Sequence, residues 1–343
     1  MYAKTLLIAF ATTIVLALPA CAQRQYNMLD EAFPVKDKTA LKVAVSDADL
    51  NVTTGATREI RVQILVEARS EDRARSYFEA QQFDVALRDG EVQVLSEPKR
   101  GSRGYLRDEP EIKITVTTPR LLDLRLRTSD GDIVVGDVDG DVLVRTADGD
   151  IAAGVLTGTM FEARTSDGDI TVESADFKNV VVETSDGDIG IGEAIAEEVT
   201  VHSSDGDIHV DQLTGITDIR TSDGDIHVGA VISSSSRIQT SDGDISLENV
   251  EGDLMARSSD GNLVVELVQP GTVTLRTIDG DVAVTLPADY ATSLDLAATE
   301  IRMDCCASFD GRREEGRVEG HVNGGGARLQ AETSDGIVYL REK

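Results

Sequence analysis

Apolar and polar residues alternate in short runs, and the runs return every eighteen or nineteen residues. One unit reads Thr165-Ser166-Asp167-Gly168-Asp169-Ile170-Thr171-Val172, then a polar turn, then Val180-Val181-Val182-Glu183-Thr184. Ile170 and Val172 alternate with polar neighbours, and so do Val180, Val182 and Thr184. Period-two alternation marks short strands with one buried face. A unit of this length holds two strands and two turns, but not a strand and a full helix. The pattern therefore predicts an all-β chain folded as a single parallel β-solenoid (β-helix or β-roll) with coils of ~18–19 residues and alternate apolar residues filling the inside.

The inward columns can be read down the chain. One is Ile133, Ile151, Ile170, Ile189, Ile208, Ile226, Ile245, Leu263 and Val282; a second is Val135, Ala153, Val172, Ile191, Val210, Val228, Leu247, Val265 and Val284. A third opens the opposite strand at Val142, Phe161, Val180 and Val199. Thr or Ser closes that strand, as at Thr128, Thr146, Thr165, Thr184 and Ser203, and alternation turns its hydroxyl inward, toward the neighbouring coil or the turn backbone. Between the apolar runs stands Asp-Gly-Asp or a close variant. Gly131, Gly149, Gly168 and their equivalents are expected at one stacked corner, where glycine accepts φ > 0. About fourteen coils rising ~4.8 Å each give a rod on the order of 65 Å, right-handed by the general preference.

The regular coils span 121–286. Residues 38–120 read as degenerate coils, with weaker copies at Ser46-Asp47-Ala48-Asp49 and Arg88-Asp89-Gly90-Glu91. A helix is expected at about 70–82, because Ser70 followed by Glu71 and Asp72 is a helix start; it would cap the open end. Residues 287–343 read as degenerate coils with a Gly-rich loop at about 304–326, and a last motif copy lies at Asp335-Gly336.

Charge narrows the partners. The 343 residues carry 62 acids against 33 bases, a net charge of −29, with no Trp. Phosphate backbones and anionic lipid surfaces need a basic stripe, and none is visible, so nucleic acid is excluded and a membrane is reached only through a lipid anchor. Residues 1–22 read as a secretory signal, with Lys4 before the apolar run Leu6 to Leu18, and 23–37 as a linker. Two endings fit: Leu18-Pro19-Ala20-Cys21 resembles a bacterial lipobox with Cys21 acylated, and Ala20-Cys21-Ala22 fits ordinary cleavage. The expected address is the bacterial cell envelope, as an outer-membrane lipoprotein or a periplasmic or secreted protein.

Stacking would line up Asp130, Asp148, Asp167, Asp186, Asp205, Asp223 and Asp242 in one column and Asp132, Asp150, Asp169, Asp188, Asp207, Asp225 and Asp244 in a second, which Asn262 breaks. Like charges ~4.8 Å apart repel by about 1 kcal/mol in water and roughly 3–4 kcal/mol at an effective dielectric near 20. Three offsets are open. The acids can cap turns through bonds to backbone N–H groups. Arg127, Arg145, Arg164, Arg220, Arg257 and Arg276 can stand outward beside them. Calcium can lie between coils, with these fourteen aspartates as its ligands. The Gly-rich nonapeptide of calcium-binding β-rolls is absent, and no other cofactor is indicated. Cys305 and Cys306 are adjacent in an exported chain and read as structural thiols or a vicinal disulfide; the four His show no spacing for zinc with them.

Residues 38–343 resemble the bacterial putative-adhesin domain family. The resemblance rests on repeated Thr-Ser-Asp-Gly-Asp-Ile, on Val116-Thr117-Thr118-Pro119 before Leu122-Asp123-Leu124, on Leu286-Pro287-Ala288, and on Asn323-Gly324-Gly325-Gly326 before Leu329-Gln330-Ala331. It implies a β-solenoid on an exported or envelope protein and brings no catalytic residues. The expected function is accordingly non-enzymatic: a structural or adhesion-like protein binding an envelope protein or glycan through its long faces. The alternatives are a calcium-binding β-roll and, further off, a polysaccharide-acting β-helix enzyme. Every coil repeats the same acids, so no pair is singled out for catalysis.

Overall fold

The computed structural model describes residues 24–35, 39–97, 110–306 and 308–343. The expected signal segment, residues 1–22, and the candidate acylation site Cys21 lie outside them. The described chain is all-β apart from one short helix, and its 28 strands join in one sheet that does not close, a solenoid-like stack.

Within the body, successive repeats pair in parallel. On one face Ile133, Ile151, Ile170, Ile189, Ile208, Ile226 and Ile245 are register partners. On the other, Val142, Phe161, Val180 and Val199 align in the same way. All of these side chains are buried. The alternation read from the sequence thus marks the face that water leaves, and burying each Val, Leu or Ile contributes about 1.5–3 kcal/mol. A further column sits between the two faces: Val138, Leu156, Ala175, Ala194, Leu213, Val231, Val250 and Leu267 are mutual partners and all buried. From Val138 to Val250 each follows the Val172-type position by three residues, because the strand bends there, and strict alternation does not find it; Leu267 follows Val265 by two.

The layering departs from chain order at both ends. Ala48–Thr54 lies between Glu111–Thr118 and Ile133–Val135, and Ala40–Ala44 lies between Glu91–Ser96 and Asp123–Arg127. At the other end Ala327–Glu332 inserts between Val273–Arg276 and Thr292–Ala297, and Ile337–Glu342 between Val282–Leu286 and Glu300–Asp304. The last motif copy therefore stacks directly on the Asp279-Gly280 repeat. The segment between the two copies is an excursion that runs past the layer the chain end later fills.

Three expectations are corrected here. Residues 24–34, expected as linker, form the strand Arg24–Pro34, antiparallel to Glu59–Ala68, which in turn runs antiparallel to Glu111–Thr118. Antiparallel pairs thus finish the ends of the parallel body. The Gly-rich loop contains a hairpin, Asp310–Glu314 with Arg317–Val322, whose second strand also pairs with Thr292–Ala297. Its opposed pairs Arg312–Glu319 and Glu314–Arg317 are of opposite charge, which favours pairing in so polar a segment. The Asp89-Gly90 copy is not a stacked corner: both residues have positive φ (51° and 82°) and make the tight turn between the antiparallel strands Phe83–Arg88 and Glu91–Ser96.

The helix is Glu71–Gln81, with the Ser70 hydroxyl accepting from the Arg73 N–H. It ends at Gln82, which is left-handed at φ 53°. Ala74 is buried and Tyr77 and Phe78 pack partly against the core, so the helix leans on Glu59–Ala68 and Arg24–Pro34 at that end.

Candidate functional site

The aspartate-rich corner is built almost wholly from hydrogen bonds between layers. Around Thr184 to Ile189, every N–H has an acceptor. Thr184 N donates to His202 O (3.0 Å), and Ser185 N and Asp186 N both donate to Ser166 O (3.0 and 2.9 Å). Gly187 N reaches the Thr184 hydroxyl (3.4 Å), Asp188 N reaches Asp169 Oδ1 (2.8 Å), and Ile189 N donates to Asp207 O (2.9 Å). The Thr184 hydroxyl itself lies 3.3 Å from Ser166 O and 3.0 Å from Gly168 O. A buried donor such as the Gly187 N–H would cost about 1–3 kcal/mol if left unpaired, so the threonine column seals the inner side of the corner while the second aspartate column ties its exposed side.

The second column is a continuous ladder. Oδ1 of Asp132, Asp150, Asp169, Asp188, Asp207 and Asp225 each accepts the N–H of the corresponding aspartate one layer on, and Asp244 accepts from Asn262 N. Asn262 continues it, its Oδ1 accepting from Asp281 N at 2.9 Å. The oxygen does the work and the charge is dispensable. We expect Asp207→Asn to leave the melting temperature unchanged or slightly higher, through relief of like-charge repulsion. Asp207→Ala, which removes the acceptor of the exposed Asp225 N–H, should cost about 0.5–1.5 kcal/mol by denaturant titration.

The first column is different. Asp148, Asp167, Asp186, Asp205, Asp223 and Asp242 are exposed at the outer edge of the corner. The structure thus splits the fourteen candidate metal ligands into an outer row and a row engaged with backbone. Among the described residues no group of three or more His, Cys, Asp or Glu is placed to hold a metal ion.

The corner glycines have a reason other than the expected one. None of Gly131, Gly149, Gly168, Gly187, Gly206, Gly224, Gly243, Gly261 or Gly280 has a positive φ. A Cβ on Gly206 would lie 1.9 Å from Gly187 O and 2.4 Å from Gly187 C, and the same holds up the column. Side-chain volume is forbidden there, not conformation.

The arginines also act elsewhere. Arg145, Arg164, Arg220 and Arg276 point outward, but they pair with carboxylates of their own face and not with the Asp-Gly-Asp columns. Arg145 and Arg164 both bond Glu162, Arg164 also bonds Glu183, Arg220 pairs with Asp218 at 2.6 Å, and Arg276 pairs with Glu332 at 3.4 Å. Burial works against the Glu162 carboxylate, yet the hydrogen bonds from Arg145 and Arg164 outweigh it and hold its pKa below the ordinary 4.5. A carboxyl lowered in the folded state stabilises fully above its unfolded pKa and loses that contribution as pH falls through the folded value. Glu162→Gln should therefore destabilise at pH 7, and its difference from the unaltered protein should shrink as melts are taken further below pH 4.5.

On the same face a groove of about 330 Å³ crosses the strands between the rows Glu198, Ile216, Ser235 and Thr200, Asp218, Arg237, Met255. Ile216 is 50% exposed and Met255 44%. Sequence reasoning missed it; the available signal was apolar residues at outward positions. His209 and His227 stack on the other face with ring centroids 4.9 Å apart. Cys305 and Cys306 form a vicinal disulfide at the end of Glu300–Asp304, with Cys306 at φ 69° and its carbonyl accepting from Phe309 N.

A sequence profile of the Toastrack DUF4097 family matches residues 38–235 and 216–341, nearly all of the described chain. The chain belongs to the Toastrack family. No curated protein matches this Toastrack chain. Solved structures similar to it include a putative adhesin of Parabacteroides merdae (15% identity, 75% of this chain and 95% of that one, TM-score 0.43). A putative adhesin of Bacteroides fragilis matches at 15% identity (71% and 97%, TM-score 0.39), and a putative cell adhesion protein of Clostridium sporogenes at 9% (92% and 99%, TM-score 0.20). No helix among the Toastrack chain's described residues is long and apolar enough to cross a membrane.

Proposed function

We propose that this Toastrack chain is a non-enzymatic protein of the cell envelope or cell surface, built as a parallel β-solenoid of 18–19-residue coils, that binds a glycan or envelope protein through its long stacked faces. One observation carries the reading. The repeated corner spends its polar groups on the stack itself, and the chemistry left over lies in outward rows, with apolar side chains exposed at the groove of Ile216, Arg237 and Met255. A groove crossing successive strands suits an extended chain laid along the stack. Repetition of the same acids in each layer supports the non-enzymatic reading, since catalysis sets one pair apart.

The test is a pull-down of residues 24–343 on washed cell envelopes and on an immobilised glycan array, with Ile216→Asp/Met255→Asp as the variant. Both residues are half-exposed, so the fold should tolerate the change. We expect binding to envelopes or to one glycan class, weakened at least about tenfold in the variant. Binding to neither surface, or equal binding by both proteins, would remove the proposal.

A further inference from the structure

The outward row beside the column of bends, which contains Asp139 and Thr157, ends at Leu121. Leu121 bridges Asp139 on one side, and Asp139 pairs with Thr157 beyond it. On its other side the neighbouring repeat makes no bend. After Ala48–Thr54 the chain turns back through residues 55–58 into the antiparallel strand Glu59–Ala68. The interleaving of the end thus removes the layer that would have flanked Leu121 on that side. Leu121 is 76% exposed, more than any other large apolar residue among those described, while Leu122 beside it is 4% exposed.

The missing layer leaves a cleft of about 610 Å³ whose apolar walls are Val35, Pro119, Leu121 and Leu122. That volume is within the roughly 300–1,000 Å³ of small-molecule sites. Arg58 is at the cleft, and among the described residues its guanidinium has no ion pair or side-chain hydrogen bond. The two carboxylates there are already engaged. Asp139 accepts from Arg120 Nε (3.1 Å) and the Thr157 hydroxyl (2.7 Å), and Asp123 accepts from Asp141 N (2.9 Å).

We propose that this cleft binds a single-chain amphiphilic carboxylate, with the alkyl chain over Leu121, Leu122, Pro119 and Val35 and the carboxylate on Arg58. A guanidinium takes a carboxylate through two parallel N–H donors, and an alkyl chain removes the exposed Leu121 surface from water. The site is remote in sequence from the groove of Ile216 and Met255, and its test is independent of that reading.

The experiment is isothermal titration of residues 24–343 with dodecanoate below its micelle concentration, beside dodecyltrimethylammonium as the charge-reversed probe. Leu121→Asp and Arg58→Glu are the variants; both residues are exposed, and circular dichroism checks the fold. We expect saturable dodecanoate binding at one site, weakened at least about tenfold by either change, with Arg58→Glu shifting preference toward the ammonium probe. Absence of dodecanoate binding, binding untouched by both variants, or equal affinity for the two probes in the unaltered protein would overturn the assignment.

Discussion

Gly206→Ala should destabilise the protein by about 3 kcal/mol, the upper end of the usual overpacking range, although alanine is the smallest change available and the backbone there needs no positive φ. The added methyl group would meet the Gly187 carbonyl at 1.9 Å, and that atom belongs to main chain held on both sides. Gly187 O cannot rotate away, since the corner N–H groups of the next layer are bonded to atoms a residue or two from it, and the Ser203 hydroxyl lies 3.1 Å from it. Relief requires separating two layers, which breaks the Asp207–Asp188 and Ser204–Ser185 bonds at that corner. The matched control is Gly190→Ala. Gly190 is in the same stack, but a Cβ there meets nothing within 4 Å, and alanine loses less backbone entropy than glycine on folding. Thermal melts of the two variants should differ by several degrees or more, with Gly190→Ala at or above the unaltered protein.

Deleting residues 327–343 should have the other large effect, and a local one. Leu329, Ala331, Val338 and Leu340 are fully buried, and both strands of this segment sit between layers that precede them in sequence. Burial of the two leucines and the valine alone contributes about 5–9 kcal/mol. Without them Thr292–Ala297 and Glu300–Asp304 lose the partners that join them to the body. Because a stack is stabilised by neighbour-to-neighbour contacts, the loss should be confined to that end. Limited proteolysis should then cut within 287–326 and leave a resistant core containing 121–286. An unclipped 287–326 would mean that this end is held some other way.

Much of this fold is legible in the residues themselves. Ile133 to Val282 and Val135 to Val284 form the columns that alternation indicates, and Thr184 and its equivalents turn inward to the corner backbone as the pattern requires. The column from Val138 to Leu267 escapes because a bend resets the two-residue period. Arg24–Pro34 escapes because it is an edge strand, mostly exposed, with a register shift between Asn27 and Leu29 that breaks its alternation. The interleaved ends escape for a deeper reason. Each layer presents the same motif to the next, so a repeat carries no mark of which neighbour it will take. The corner chemistry was half legible: Asp-Gly-Asp marked the place, but only three dimensions show that Oδ1 of Asp188 receives Asp207 N from the next layer. The groove at Ile216 and Met255 needs the same step, because two residues far apart in sequence become a site only when strands stack.

The layering at the C-terminal end can be measured with paired cysteines on one outward row. In the structure Val264, Ala283, Tyr339 and Arg302 are successive register partners, so Ala283 adjoins Tyr339 and is separated from Arg302 by a full strand. Strands adjoin at about 4.8 Å, within reach of a disulfide, whereas two strands apart is about 10 Å and out of reach. In a Cys305→Ser/Cys306→Ser background, oxidised Ala283→Cys/Tyr339→Cys should form an intramolecular disulfide in high yield, and Ala283→Cys/Arg302→Cys should stay reduced. Stacking in simple chain order would give the opposite pair of results, and that outcome would contradict the account.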